Sequence, residues 1–341
     1  MTIITLELGH YRLQEQIGSS AYGVIWRASG PANTRDVALK FINHARMEQA
    51  GTALRERWIS SAQNEIDFLQ ALEPWDERHI VRLLDSGWHQ GLPVLALELL
   101  ATDLGRHMQQ LRSRQEALPL PRLLGWISQI NQALAKVHQY GWRYLDLKPA
   151  NVLLDWGLQN VKLADFGTNR HGLHSQLHSY AGTANWQAPE QFFPQRHGSY
   201  QSSASSDYFS LGAMFYFLVT GGRALQFCSD CGNAYRTHHT AGAELLLQAS
   251  GGNLPATLLD DEAARFAAAL PAASRDSALL LLRSLLQADP AQRPRHAIQI
   301  SRMLQAIQGM PPERHYLDVT DPVRGMRRPT AANGWQTMRS A

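Results

Sequence analysis

The chain has 341 residues, 44% of them hydrophobic, a formal net charge of +3 and two cysteines. That length suffices for a two-lobed domain with a sizeable core, and no apolar run reaches the roughly 18 residues needed to cross a bilayer. The small net charge gives no ground for nucleic-acid binding, two cysteines imply no disulfide framework, and the first residues lack a basic stretch and carry Glu7, which argues against a signal peptide.

In chain order, residues 11–17 alternate like a strand, 18–23 form a glycine-bearing turn, and 24–28 and 36–42 are two further strands. Residues 53–72 predict a helix, with Ile59, Ala62, Ile66 and Leu69 on one stripe and Pro74 beyond its end. Residues 80–85 and 94–97 are short apolar runs that read as strands. From Leu100 the pattern turns helical. Residues 120–140 form a long amphipathic helix, with Pro119 and Pro121 at its start and Gly141 past its end. Helices follow at 207–220, 274–286 and 297–307, and residues 310–341 are polar, basic and aperiodic, as in a tail or surface strap. The expected class is α+β: a short extension at 1–10, a small antiparallel lobe with one helix at 11–98, a larger mainly helical lobe at 99–309, and the tail.

The chemistry concentrates in residues 141–167, GWRYLDLKPANVLLDWGLQNVKLADFG. Asp146, Lys148, Asn151 and Asp165 fall on two loops, each followed or preceded by an apolar strand-like run. Hard cations prefer carboxylate and amide oxygens, and an ammonium beside them suits a phosphate. Lysine is scarce: four of the 32 basic residues are lysine (Lys40, Lys136, Lys148, Lys162) and the rest arginine. A compact ammonium is therefore a marked choice at Lys40, which ends the run Val37-Ala38-Leu39-Lys40, and at Lys148. Upstream, Gly18-Ser-Ser20-Ala-Tyr-Gly23-Val24 lies between two strands, where backbone N–H groups can approach a phosphate closely. Alone, this stretch reads equally as a hairpin turn.

These motifs, with Asp165-Phe166-Gly167, Ala188-Pro189-Glu190, Asp207 and Arg293, resemble eukaryotic-type (Hanks-type) Ser/Thr protein kinases over about residues 11–308. The resemblance implies a bilobal kinase fold, ATP with Mg2+ (or Mn2+) as cofactors, and protein substrates with Ser or Thr acceptors. Autophosphorylation follows as an expectation. It implies that Asp146 is the catalytic base, that Lys148 neutralises the transferring phosphoryl group, and that Asn151 and Asp165 hold the metal. Lys40 would hold the α- and β-phosphates and pair with an acid on the next helix, Glu65 by preference and Glu56 otherwise. Ile17, Gly18, Ser20, Gly23, Val24, Ala38, Leu97, Leu153 and a hinge from Glu98 to Leu100 would surround the nucleotide. Thr183 would sit by the acceptor, Glu190 would pair with Arg293, and Asp207 would anchor the catalytic loop.

Three departures qualify the resemblance. Ser20 stands where the family has a second glycine, and Tyr144-Leu145 where it has His-Arg. The missing arginine is the one that meets a phosphate on the activation segment, whose candidate acceptors are Thr168, Ser175, Ser179 and Thr183. Cys228-x-x-Cys231 followed by His238-His239 offers four candidate zinc ligands, two thiolates and two imidazoles, against a polar loop with two reduced thiols. His171, His174 and His178 read as surface histidines rather than metal ligands. A pseudokinase scaffold is the alternative to an active enzyme, and a small-molecule kinase is disfavoured by Ala188-Pro189-Glu190 and Arg293. The arginine-rich composition suggests a bacterial, cytoplasmic kinase with a regulatory partner as one source of its input signal.

Overall fold

The computed structural model describes residues 2–19, 23–31, 35–48, 51–171, 177–178, 182–194 and 199–309, with the backbone alone at 52–54, 171, 177 and 178. The tail at 310–341 and Ser20, His174, Ser175 and Ser179 lie outside the described residues, as do the side chains of His171 and His178.

Six strands, β1 (Ile3–Leu6), β2 (Gly9–Ser19), β3 (Gly23–Ser29), β4 (Asp36–Ile42), β5 (Leu83–His89) and β6 (Leu92–Glu98), form one antiparallel sheet in the order β1-β2-β3-β4-β6-β5. Alternation decides which face each residue serves. Val37 and Leu39 of β4 pack with Ile4, Leu6, Tyr11, Val94 and Ala96 on one face. Ala38 joins Leu95, Leu97, Ile66 and Leu69 on the other. Lys40, two residues on from Ala38, therefore shares the face turned toward the helix α2 (Thr52–Gln70), which follows the short α1 (His44–Glu48).

Two strands differ from the sequence reading. Residues 3–6, set apart there as an extension, are strand β1: Ile4 and Leu6 are buried while Ile3 and Thr5 face out. Asp85 holds this end of the sheet, accepting from Tyr11 Oη at 2.9 Å and Leu8 N at 3.0 Å. Strand β5 begins at Leu83 rather than at residue 80, because Ile80 is drawn out of it into a parallel bridge with Leu163 of the larger lobe.

That lobe carries α3 (Leu104–Ser113), α4 (Leu120–Gln139), α5 (Pro189–Phe192), α6 (Ala204–Val219), α7 (Gln226–His238), α8 (Gly242–Ala249), α9 (Asp260–Ala268), α10 (Arg275–Leu285) and α11 (Ala297–Ile307). Every residue of α6 from Ser206 to Tyr216 is buried, so this helix lies in the core with α4 and α10 against it. Strands Val152–Leu154 and Val161–Leu163 pair antiparallel and bracket the loops of interest. No helix among the described residues is long and apolar enough to cross a membrane.

The Cys228–Cys231 segment is helix α7, not a loop. Phe227, Cys228 and Cys231 face the core, and burial, aided by Glu262, pushes the Cys228 thiol up to about 12. His238 ends the same helix, ten residues on and about 15 Å away at 1.5 Å per residue. One helix cannot turn those four side chains onto a single ion. Among the described residues no group of three or more His, Cys, Asp or Glu side chains could hold a metal.

Candidate active site

Two loops meet beneath the sheet, one running from Tyr144 to Asn151 and the other from Ala164 to Thr168. The first hangs from α6: Asp207 accepts from Tyr144 N at 3.0 Å and Leu145 N at 2.7 Å. His138 Nε2 of α4 lies 2.8 Å from the same carboxylate. Leu145 has φ 65° and Asp165 has φ 62°, both in the left-handed region. Such non-glycine backbone costs on the order of 1–3 kcal/mol and persists only where the surroundings impose it. At Leu145 the imposing group is Asp207, and at Asp165 it is the pair Lys40 and Glu65.

Lys40 Nζ donates to Glu65 Oε2 at 2.6 Å and to Asp165 Oδ1 at 2.8 Å. Glu65 Oε1 accepts from Phe166 N at 3.2 Å, so one buried carboxylate ties α2 to both β4 and the second loop. Glu56, the other acid weighed for this pairing, is exposed. Burial works against the Lys40 ammonium, but Asp165 and Glu65 outweigh it and hold its pKa above the ordinary lysine range. Burial pushes Glu65 up, with Lys40 opposing. Burial also works against the Asp165 carboxylate, yet Lys40 keeps it below the usual range. The Asp165 side chain is 45% exposed against 1% for Glu65, so Asp165 is the carboxylate open to the cleft.

Across the cleft, Lys148 Nζ donates to Asp146 Oδ2 at 2.7 Å and to Thr183 Oγ1 at 2.8 Å. Asn151 Nδ2 donates to Asp146 O and Oδ2, both at 3.0 Å. Asn151 therefore uses its N–H groups on Asp146, and its amide oxygen is the atom it can offer a cation. Asp146 Oδ1 is buried and has no hydrogen-bond partner. Burial raises the Asp146 carboxyl above the usual range, and Lys148 only partly counters it. Gly182 (φ 98°) brings the Thr183 segment against the loop, since a Cβ there would lie 2.8 Å from Leu145 O.

Tyr144 fills its position as a packing group. Its ring lies 5.2 Å from that of Phe166, which in turn lies 4.7 Å from Phe68 of α2, and its hydroxyl donates to Ala164 O. Leu145 is 2% exposed. Glu190 and Arg293 form a bidentate pair with both contacts at 2.8 Å.

Ile17, Ala38, Leu97 and Leu153 pack in one hydrophobic cluster. Gly18 and Val24 are half-buried on the strands above, and Gly23 opens β3. Glu98 gives its side chain to Lys162 Nζ at 2.5 Å and Arg82 N at 2.8 Å, so toward the cleft it can offer only backbone. Leu100 is half-buried just beyond β6. A cavity of about 280 Å³ lies between β4, α2 and the two loops, with Gly23 among its lining. Lys40, Glu65, Asp146, Asp165, Lys148 and Thr183 line it.

Two residues outside any motif also brace the site: Ser61, whose hydroxyl donates to Gly167 O at 2.5 Å, and His138 behind Asp207. Ser61 lies one turn before Glu65, on the same helix face, so helical spacing is the signal that could have found it.

Residues 11–305 match the family model described as protein kinase domain. The chain is also 30% identical over 218 residues to wall-associated receptor kinase-like 14 of Arabidopsis thaliana, a match covering 63% of this chain and 28% of that protein's length. With the match running through both lobes and every loop of the cleft, the chain belongs to the protein kinase domain family, in its Hanks-type form.

Proposed function

We propose that this chain transfers the γ-phosphoryl group of ATP, with Mg2+ (or Mn2+), to serine or threonine hydroxyls of protein substrates, itself included. The observation that carries the reading is the buried, unpartnered Asp146 Oδ1 beside Lys148 and Thr183, facing a half-exposed Asp165 held by Lys40. Asp165 and the Asn151 amide oxygen fit a hard cation that keeps its remaining positions for water and phosphate. A bound magnesium ion would neutralise charge on the β- and γ-phosphate oxygens.

The chain's own groups do the rest by position and charge. Lys40 holds the α- and β-phosphates, and Glu65 keeps its ammonium from swinging away. Asp146 Oδ1 accepts the hydrogen bond of the acceptor hydroxyl and takes its proton as the new O–P bond forms and the bond to the ADP oxygen breaks. Lys148 balances the charge of the group in transit. The base sits against Ile17, Ala38, Leu97 and Leu153, with the Glu98–Leu100 backbone at its edge.

The test is to incubate wild type and Asp165→Ala with labelled ATP and magnesium, followed by phosphoamino-acid analysis. Label on serine or threonine in wild type above that in the variant is expected. Equal label in both would defeat the reading and leave a nucleotide- or partner-binding scaffold.

Leu145 bears on control. It is apolar and buried where the family has arginine, so no cation in that position waits for a phosphate. We propose that activity does not depend strongly on phosphorylation of the activation segment. Ser175→Ala with Ser179→Ala is expected to leave the transfer rate within about threefold, and a collapse of the rate would overturn this.

A further inference from the structure

A second groove starts where the first cleft ends. It holds about 330 Å³ and runs from Lys148 and Pro149 past Trp186, Phe217 and Met108 to Arg112 of α3. Trp186 and Phe217 meet edge to face at 5.5 Å and form an apolar wall. Lys148 and Arg112 are the charged residues that line the groove. Lys148 is already neutralised by Asp146.

Beyond Arg112 the groove opens into a recess of about 410 Å³ that shares Arg112 and Gly222 and adds Arg223. The chain leaves α6 through Gly221 (φ 69°) and Gly222 (φ 90°), and that left-handed bend brings Arg223 round beside α3. The other charges of the recess are already committed. Arg265 pairs with Asp261 at 2.9 Å, and Glu262 accepts from Gln226 N at 2.7 Å and Leu259 N at 3.0 Å. Among the described residues, the ion pairs include neither Arg112 nor Arg223. Both are exposed. The result is an apolar trough, continuous with the acceptor site at Lys148 and Thr183, that ends in two unpaired guanidinium groups.

We propose that the protein substrates of this chain are acidic around the acceptor, with an aspartate or glutamate a few residues away meeting Arg112 and Arg223. The two arginines are then the specificity-determining residues of the groove. An extended peptide advances about 3.3 Å per residue, so a segment whose hydroxyl sits at Asp146 follows the groove past Trp186 and Phe217 and meets the arginines a few residues on. Guanidinium groups suit this because their fork meets a carboxylate bidentately, and unpaired like charges at the groove's end repel a basic segment.

This inference rests on the phosphotransfer reading, and the test separates the two. Three serine peptides of equal length, flanked on both sides by aspartate, glutamine or lysine, are offered to the full chain with labelled ATP. Their alanine-for-serine counterparts are titrated by fluorescence anisotropy, which needs no transfer. The aspartate peptides are expected to be favoured over glutamine by about three- to tenfold in both assays, as two exposed ion pairs would give. The preference should fade near 1 M salt, where the Debye length falls to about 3 Å. Arg112→Glu with Arg223→Glu is expected to favour the lysine peptide instead. Binding of the aspartate peptide without phosphorylation of any peptide would support the groove and sink the phosphotransfer reading. Equal binding of all three peptides, or an acidic preference that survives the double charge reversal, would overturn the inference.

Discussion

Asp146→Asn is expected to lower phosphotransfer by about 10²–10⁴-fold, the range for loss of a positioned general base, while the fold melts about 2 °C higher or more. The two effects share one cause. Burial raises the Asp146 carboxyl above its ordinary value despite Lys148, so the surroundings favour its neutral form. The sign follows from linkage: the folded state binds this proton more tightly than the unfolded chain does. Lowering the pH through the folded-state value therefore adds stability through this group, and keeping it ionised at neutral pH subtracts stability. Asparagine is neutral throughout and nearly isosteric. Its carbonyl oxygen can still accept from Lys148 Nζ and Asn151 Nδ2, which now meet Oδ2 at 2.7 and 3.0 Å. It cannot take a proton from an acceptor hydroxyl. Wild-type activity should accordingly fall on acidification at a higher pH than an ordinary aspartate, near 4, would set. Thermal unfolding and a pH–rate profile check both parts. A variant that is less stable than wild type, or one that keeps more than a tenth of the rate, would remove Asp146 from this role.

The residues of the cleft were legible because their spacing is local. Asp146, Lys148 and Asn151 fall within six positions, and Asp165 opens a three-residue motif, so chain order alone sets them on two loops. The long helices were legible for the same reason: α4 and α11 carry an apolar stripe of helical period, and their observed bounds fall within a residue of the predicted ones. What escaped depends on partners far along the chain. Strand β1 is fixed by β2 and by Asp85, 77 positions beyond Leu8, and four residues cannot announce such a pairing. Ile80 looks like the start of a strand by composition and is drawn away by Leu163 of the other lobe. Helix α7 is a different case. Its buried Phe227, Cys228 and Cys231 follow a helical stripe, but the polar residues set among them read as a loop. The Lys40–Asp165 contact spans 125 positions, and only the folded chain brings the two sides of the cleft together.

The order of dependence in the site also follows from that contact. Glu65 holds Lys40, Lys40 holds Asp165, and Asp165 sits in a backbone conformation that an isolated loop would leave. Any displacement of α2 therefore reaches the cleft-facing Asp165 carboxylate through two side chains. Phe68 and Phe166 provide a parallel apolar link between the same two elements. The position of α2 is thus coupled to the second loop of the cleft, through Lys40 and Glu65 on one side and through Phe68 on the other.

Arg293→Ala is expected to cost about 3–5 kcal/mol, the usual result of stripping one partner from a buried ion pair, and to lower the melting temperature by about 5–8 °C. The Arg293 side chain is 0% exposed and Glu190 5%. Arg293 donates to both Glu190 oxygens at 2.8 Å, to Ser205 O at 2.9 Å, to Gln287 O at 2.7 Å and to Ala288 O at 3.1 Å, and it lies over the Phe209 ring at 5.0 Å. Removing it leaves a buried carboxylate with the Ser206 hydroxyl as its remaining donor, at 2.7 Å, and three carbonyls without their donor. The pair joins segments 103 positions apart, so the stretch from Thr183 to Glu190 loses its tether to the far side of the lobe. Removing both charges is a different perturbation. Glu190→Leu with Arg293→Met leaves no uncompensated ion and keeps most of the volume, so it should recover more than half of the lost stability. Its phosphotransfer should still lag behind its stability, because the bidentate geometry that fixes the Thr183 segment is gone. Melting curves of the two single variants and the double variant, read as a cycle, decide the matter: a single variant within about 2 °C of wild type would show that the pair is not what secures this segment.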